Sequence, residues 1–474
     1  MSSLSGRLLV QAPASAPTRF SDLLAAAAEG ERQLDGEGVL SLALPLPSLD
    51  PLALLPQLPA GEGFRFLWDS APGLCLAASG RTNSLELSGP RRFELTQRFS
   101  SISLGRLAAP QSCPPLARPR VLLAFGFFDS PLREGEGVPG VQAVLPRWQL
   151  SRQGRHCWLR LQGNLGGAVT ARSLAEELWE QALTLQARPV EPPQLGPVEV
   201  LRRSAWQEPY RQAAHRALAL VEEGQLDKLV LAVRQQLELS DRVDPLALLA
   251  PLRQSQAGSC RFLWQRQPGA ALLGASPERL LSVRQGQLRS DALAGTAVCG
   301  EGDALLGSTK DRLEHELVVD TILAGLKRAG LVPRRPRHPR LARHGQLVHL
   351  HTPITAALGG HEPLAIAAAL HPTPAVAGLP RREAMGWLRS LEPFERGHYA
   401  APVGWIDAAG DLELRVAIRS GTLHGHKLVL TAGAGLVRHS AVERELAEVQ
   451  LKLGVLQQQL NLPAAADQGS LAIT

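Results

Sequence analysis

The chain of 474 residues predicts an α/β fold in which two related sheets pack together. Two observations carry this. The phrase Phe64-Arg65-Phe66-Leu67-Trp68, followed by the strand-like run Gly73 to Ala78, returns as Cys260-Arg261-Phe262-Leu263-Trp264, followed by Ala271 to Ser276. Strand-like runs of this kind also alternate with amphipathic helical patterns along the chain. The repeat marks equivalent strand pairs in two halves. Two similar hairpins meeting one packing demand would read the same way.

Residues 1–195 form the first half. Here the runs FRFLW, GLCLAA, SLELS, RVLLAFGFF and HCWLRLQGN read as strands, and SLAEELWEQALTLQAR from Ser173 reads as a helix. PVEPPQLGPVEV follows as a proline-rich linker. Residues 196–474 open with a helix through RQAAHRALALVEEGQ, ended by Gly224. A long strand comes next, with Leu229, Leu231 and Val233 on one face and Lys228, Val230, Ala232 and Arg234 on the other. A helix from about Pro245 to Gln254 leads into the second FLW strand, which pairs with ALLGAS. LELRVAIRS reads as one strand, with Glu413, Arg415 and Arg419 on its polar side.

The composition, 45% hydrophobic and 20% charged, suits a sizeable core. No run approaches eighteen apolar residues and the N-terminus lacks a secretory pattern, so neither a membrane span nor export is expected. Five scattered cysteines without a C-x-x-C pair fit a reducing, cytoplasmic setting. Much of the net charge of +6 sits in PRRPRHPRLARHG from Pro333. That run has no interleaved aromatics for stacking on bases, so it reads as a solvated, proline-broken loop and no nucleic-acid partner is expected.

Only five of the fifty basic residues are lysines: Lys228, Lys310, Lys327, Lys427 and Lys452. Where arginine serves almost every solvated position, a retained lysine suggests a need for an amine that can lose its proton. On the C-terminal helix, Glu445, Glu448 and Lys452 fall within a 60° arc beside the apolar stripe of Val449, Leu453 and Leu456. On STKDRLEHELVVDTILAGL, Asp311 and Glu314 share a face with Val318 and Ile322. Two helices with paired carboxylates could hold Mg²⁺, a hard ion that takes oxygen ligands. A charged ladder on a solvated helix would have the same spacing. Gly433-Ala434-Gly435 and Ala294-Gly295-Thr296 are short glycine turns whose amides could approach a carboxylate, or simply tight turns.

In order, K-LVLAVR, GASPERLL, ALAGTA, KDRLEHELVVD, HLHTPI, LHPTPAVAGLPR, VGWID, AIRSG, TAGAGLV and E-LAEVQLKL resemble the chorismate-binding enzymes, over residues 200–460. The resemblance implies an α/β sandwich of two mostly antiparallel sheets with helices outside, and an active site between its halves. The first half resembles the family's variable region, with no catalytic residues expected in it. LHPTPAVAGLPR is similar to the isochorismate and salicylate synthase version, and the details come nearest to the isochorismate synthases of menaquinone and phylloquinone biosynthesis. Aminating members carry a glycine-rich segment there, and some place a nucleophilic lysine where this chain has Ala294.

The resemblance implies conversion of chorismate to isochorismate, with Lys228 as general base and Glu278 as general acid. It gives Glu314 and Glu445 as Mg²⁺ ligands, with Asp311 and Glu448 holding metal-bound waters. Substrate contacts fall to Arg419, Tyr399, Lys452, Gly433, Gly435, Gly295, Thr296 and His349, and less clearly to His371. Lys228 would have to be a neutral amine and Glu278 a neutral acid near pH 7. A salicylate synthase would share these residues; an aminating enzyme or a non-catalytic RNA-binding scaffold fits them less well. No amidotransferase subunit is expected, and the assembly would be a monomer or homodimer.

Overall fold

The two copies of the repeated phrase are strands, Arg65–Asp69 and Cys260–Gln267, and they pair antiparallel with each other. In the computed structural model, which describes residues 18–35, 38–132, 137–187 and 190–460, Leu67 lies opposite Leu263. Phe66 then faces Trp264, and Trp68 faces Phe262, as a local two-fold axis through the leucine pair demands. Alternation does the rest. Phe64, Phe66, Trp68, Phe262 and Trp264 fill one aromatic cluster with Trp405, while Leu67 and Leu263 join the main core on the other face. The likeness begins earlier than the phrase. Asp50-Pro51-Leu52-Ala53-Leu54-Leu55 and Asp244-Pro245-Leu246-Ala247-Leu248-Leu249 both start short helices. Asp50 caps the first by accepting from the Leu52 amide at 3.2 Å, and Asp244 caps the second from the Leu246 amide at 2.9 Å.

All twenty described strands belong to one hydrogen-bonded network, antiparallel except where Gly38–Leu46 meets Leu107–Ala108. It has two branches. One runs from Gly38–Leu46 through the leucine pair to Ala270–Ser276, Ser420–His424, Lys427–Val437 and Lys228–Leu239. The other runs through Arg120–Phe125, Pro402–Asp407, Leu412–Val416, Arg279–Arg284, Gln287–Val298 and Leu347–Ala357. They join at Val141–Gln153, which pairs with Arg120–Phe125 at one end and His156–Leu165 at the other. The α/β class and antiparallel pairing are as expected, but the two sheets are branches of one network. Helices cover it: Thr309–Arg328 lies on Gln287–Val298, and Gln207–Glu222 and Val442–Gln457 lie on the strands from Lys228 and Lys427.

The chain changes branch twice at one place. Ser276-Pro277-Glu278 carries it from Ala270–Ser276 to Arg279–Arg284, and Ala417-Ile418-Arg419 carries it from Leu412–Val416 to Ser420–His424. LELRVAIRS is therefore two strands, broken where Arg419 takes φ 49°. The crossings are stapled together. Ser276 Oγ donates to the Val416 carbonyl at 2.6 Å, the Val416 amide to the Glu278 carbonyl at 3.1 Å, and the Ala275 amide to the Arg419 carbonyl at 3.1 Å. The basic run also departs from expectation: Arg340–His344 is a strand paired with Leu347–Ala357, so only the part before it is irregular. The helix expected near 245–254 is two short ones, Pro245–Leu249 and Leu252–Ser255.

Candidate active site

Lys228 begins its strand on the face predicted and is fully buried. Across the ladder Gly435 pairs with Val230, and the lack of a side chain there leaves room for Glu314 and Lys228. A Cβ there would lie 2.6 Å from Glu314 Oε1 and 2.9 Å from Lys228 Cε. Lys228 Nζ stands 2.9 Å from Glu314 Oε1, yet no acceptor among the described residues meets it in hydrogen-bond alignment. The Lys228–Glu314 ion pair is thus fully buried but imperfectly aligned, which is unusual for a buried donor.

Val230, Glu278, Thr296, Glu314, His349, Tyr399, Arg419, Gly433, Gly435, Glu448 and Lys452 line one narrow cavity of about 60 Å³. The strand crossings deliver Glu278 and Arg419 to it. Burial pushes the Glu278 carboxyl up to about 7, against the opposing pull of Lys228, Lys452 and Arg419. The neutral acid predicted for this position is thus accessible near neutrality. Arg419 is buried, and among the described residues no carboxylate pairs with it; its Nη1 has no partner at all. Burial lowers its guanidinium to about 10. A buried guanidinium without a counter-charge suits an anionic ligand group.

His349 orients that guanidinium. Arg419 Nη2 donates to His349 Nε2, so Nδ1 carries the imidazole proton and donates to the Gly295 carbonyl at 3.0 Å, with Thr296 Oγ1 at 3.3 Å. Burial and the Arg419 charge hold the imidazole well below its ordinary range, hence neutral. Gly295 makes this possible at a bulge between Ala294 and Thr296, where its φ is 73°. The Gly433 carbonyl accepts from Lys452 Nζ at 2.8 Å. His371 lies elsewhere: its Nε2 hydrogen-bonds the Phe127 carbonyl at 3.1 Å, as a satisfied core histidine does.

The four acidic residues come together, but not as a finished cage. Asp311, Glu314 and Glu445 are buried, which excludes the solvated-ladder reading, and Glu448 pairs with Lys452 at 2.7 Å. Among the described residues, no three metal-ligating side chains converge. Lys310 stands between them instead, 2.9 Å from Glu445 Oε1, 3.6 Å from Glu314 Oε2 and 3.9 Å from Asp311 Oδ1. The donor set nonetheless fits a hard cation. All its atoms are carboxylate oxygens, and Glu445 Oε2 is buried without a partner. Burial and the nearby Glu448 charge raise Glu445, a sign of negative charge still uncompensated. Lys310 was missed as a site residue, although lysine scarcity pointed to it: three of the chain's five lysines are here. A larger cavity of about 640 Å³ lies on the far side of the crossing, lined by Arg279, Arg415 and Trp405, and contains none of the predicted site residues.

Comparison with known proteins bears on the family. The chorismate binding enzyme family matches residues 23–461. The salicylate biosynthesis isochorismate synthase of Pseudomonas aeruginosa is 40% identical over 263 residues, which is 53% of this chain and 54% of that protein. The isochorismate synthase EntC of Escherichia coli is 36% identical over 256 residues, 52% of this chain and 66% of that protein. The aligned part thus spans between half and two thirds of these relatives. The structure of the menaquinone-specific isochorismate synthase MenF of Escherichia coli superposes with a TM-score of 0.74 at 27% identity, over 92% of this chain and 99% of that one. Anthranilate synthase component I of Streptococcus pneumoniae, at 19% identity and TM-score 0.67, shares the fold. With a family match over most of its length, this chain belongs to the chorismate-binding enzymes.

Proposed function

We propose that the protein is an isochorismate synthase, a cytoplasmic Mg²⁺-dependent isomerase that adds water at C2 of chorismate and expels the C4 hydroxyl. The observation that carries this is a carboxyl, Glu278, held near 7 in a cavity whose wall includes Glu314, with the buried Lys228 side chain directly behind Glu314 at 2.9 Å and near enough for its charge to act on Glu278. The Lys228 amine takes a proton from water as the oxygen bonds to C2. The ring double bonds shift, the C4–O bond breaks, and Glu278 protonates the departing oxygen, so the net change is an isomerisation. Each proton transfer is worth about 10²–10⁴-fold in rate.

The Arg419 guanidinium, fixed by His349, takes the enolpyruvyl carboxylate, with Tyr399 beside it. Lys452 adds positive charge on the side of the ring carboxylate. Glu314 and Glu445 would hold the cation, with Asp311 and Glu448 placing its waters. Once bound there, Mg²⁺ would neutralise the ring carboxylate and draw off the Glu314 charge that now faces Lys228. The lining comes entirely from residues beyond 227, which supports a supporting role for residues 1–195. The names of the isochorismate synthases it resembles support isochorismate, rather than an aminated ring, as product.

The test is chorismate incubated with the purified protein and Mg²⁺, with and without EDTA, and the products separated chromatographically. Isochorismate that disappears with EDTA and returns with Mg²⁺ is the expected result. Salicylate and pyruvate would move the protein to the lyase branch, and no turnover would overturn the mechanism.

A further inference from the structure

We infer that Lys310 is a tethered cation that competes with the divalent ion for the same carboxylate oxygens. This rests on the metal reading of the site given above. Lys310 Nζ already touches both residues assigned as ligands, Glu445 through Oε1 at 2.9 Å and Glu314 through Oε2 at 3.6 Å. The Glu314 oxygen it approaches is the one Lys228 does not, since Lys228 stands on Oε1. A second cation bridging Glu314 and Glu445 would need the space and charge that the ammonium now takes.

The residue type suits that role. An ammonium is a compact point charge on a flexible four-carbon stem, whereas guanidinium is a broad, rigid fork. In a chain that uses arginine nearly everywhere, a lysine stands at position 310, where the cation sits among three carboxylates. Lys310 lies in the first turn of Thr309–Arg328, and its side chain keeps 18% of its surface exposed, so a path to solvent is open. Lys310 therefore holds the acidic helices together until the ion arrives, and sets how much Mg²⁺ is needed.

Two measurements test this. In the first, calorimetry gives the Kd for Mg²⁺ of the wild type and of Lys310→Met. If the inserted arrangement is populated about nine-tenths of the time, its removal tightens binding about tenfold. In the second, which needs no variant and so survives misfolding of Lys310→Met, the wild type is acylated with an amine-reactive reagent and its lysines are read by mass spectrometry. Mg²⁺ should speed modification of Lys310 several-fold and leave the exposed Lys327 and Lys427 unchanged. An unchanged or weaker Kd in Lys310→Met overturns the inference. So does a Lys310 labelling rate that Mg²⁺ leaves unchanged or slows. If the wild type binds no Mg²⁺, the metal reading itself falls and the inference with it.

Discussion

Glu278 holds its proton because of where the chain bends. Its carboxyl has no ion-pair partner among the described residues, and burial lifts it from 4.5 to about 7. The folded protein therefore binds this proton more tightly than the unfolded chain does. The cost of burying the group as a charge is absent below about 4.5 and complete above 7, and is worth up to about 3 kcal/mol. Glu278→Gln removes that dependence. Denaturation at pH 5 and pH 8 should show the variant gaining stability on the wild type as pH rises. Its activity should fall by about 10²–10⁴-fold. Wild-type turnover should decline above pH 7 as the acid is lost. Arg419 offers a second test. Lysine keeps the charge but loses the planar fork and the contact to His349, so Arg419→Lys should lower kcat/KM about 10–100-fold, mainly through KM.

At the scale of elements, the two glycines of the strand Lys427–Val437 do different work. A Cβ on Gly435 meets only side-chain ends, Glu314 Oε1 and Lys228 Cε. A Cβ on Gly433 meets the Leu231 carbonyl oxygen of the neighbouring strand at 2.6 Å, which cannot yield. Gly435→Ala should therefore keep its melting temperature within a few degrees while losing Mg²⁺ affinity and turnover. Gly433→Ala should lose about 1–3 kcal/mol of stability. The same strands show what the sequence could disclose. Period-2 alternation put Lys228 on the face opposite Leu229 and Leu231, because that signal is local. It failed at LELRVAIRS, where alternation continues straight through a break. The break is set by Ser276 Oγ and the Ala275 amide, more than 130 residues away, and by the left-handed backbone of Arg419. Glu445 was ambiguous for a similar reason: helical spacing gives its angle beside the apolar stripe, not the Lys310 of another helix that covers it.

In the whole molecule, the repeated phrase explains how a site made from one half can depend on the other. The two copies meet strand to strand at Leu67 and Leu263, and a charged knot lies beside that joint. Asp69 ends the first copy and is fully buried, with Arg261 of the second copy at 2.9 Å and Arg253 at 2.6 Å. Arg253 in turn reaches Asp50, the cap of the first short helix. Those two cations hold the Asp69 carboxyl down to about 2 despite the opposing effect of burial. Its contribution is fully present above the ordinary 3.8 and lost as pH falls through 2, so it acts throughout the neutral range. Removing it leaves Arg261 buried without an anion, beside an Arg253 that keeps only Asp50. Asp69→Ala should therefore cost about 3–5 kcal/mol at pH 7, measured by denaturant unfolding. Asp69 is absent from the cavity lining, and Ala270–Ser276 separates the joint from Glu278. The fraction of the variant that stays folded in the cold should accordingly turn over chorismate with the wild-type KM and pH profile. A change in either would mean that the joint also sets the geometry of the Ser276–Glu278 crossing, and that the first half shapes the chemistry as well as supporting it.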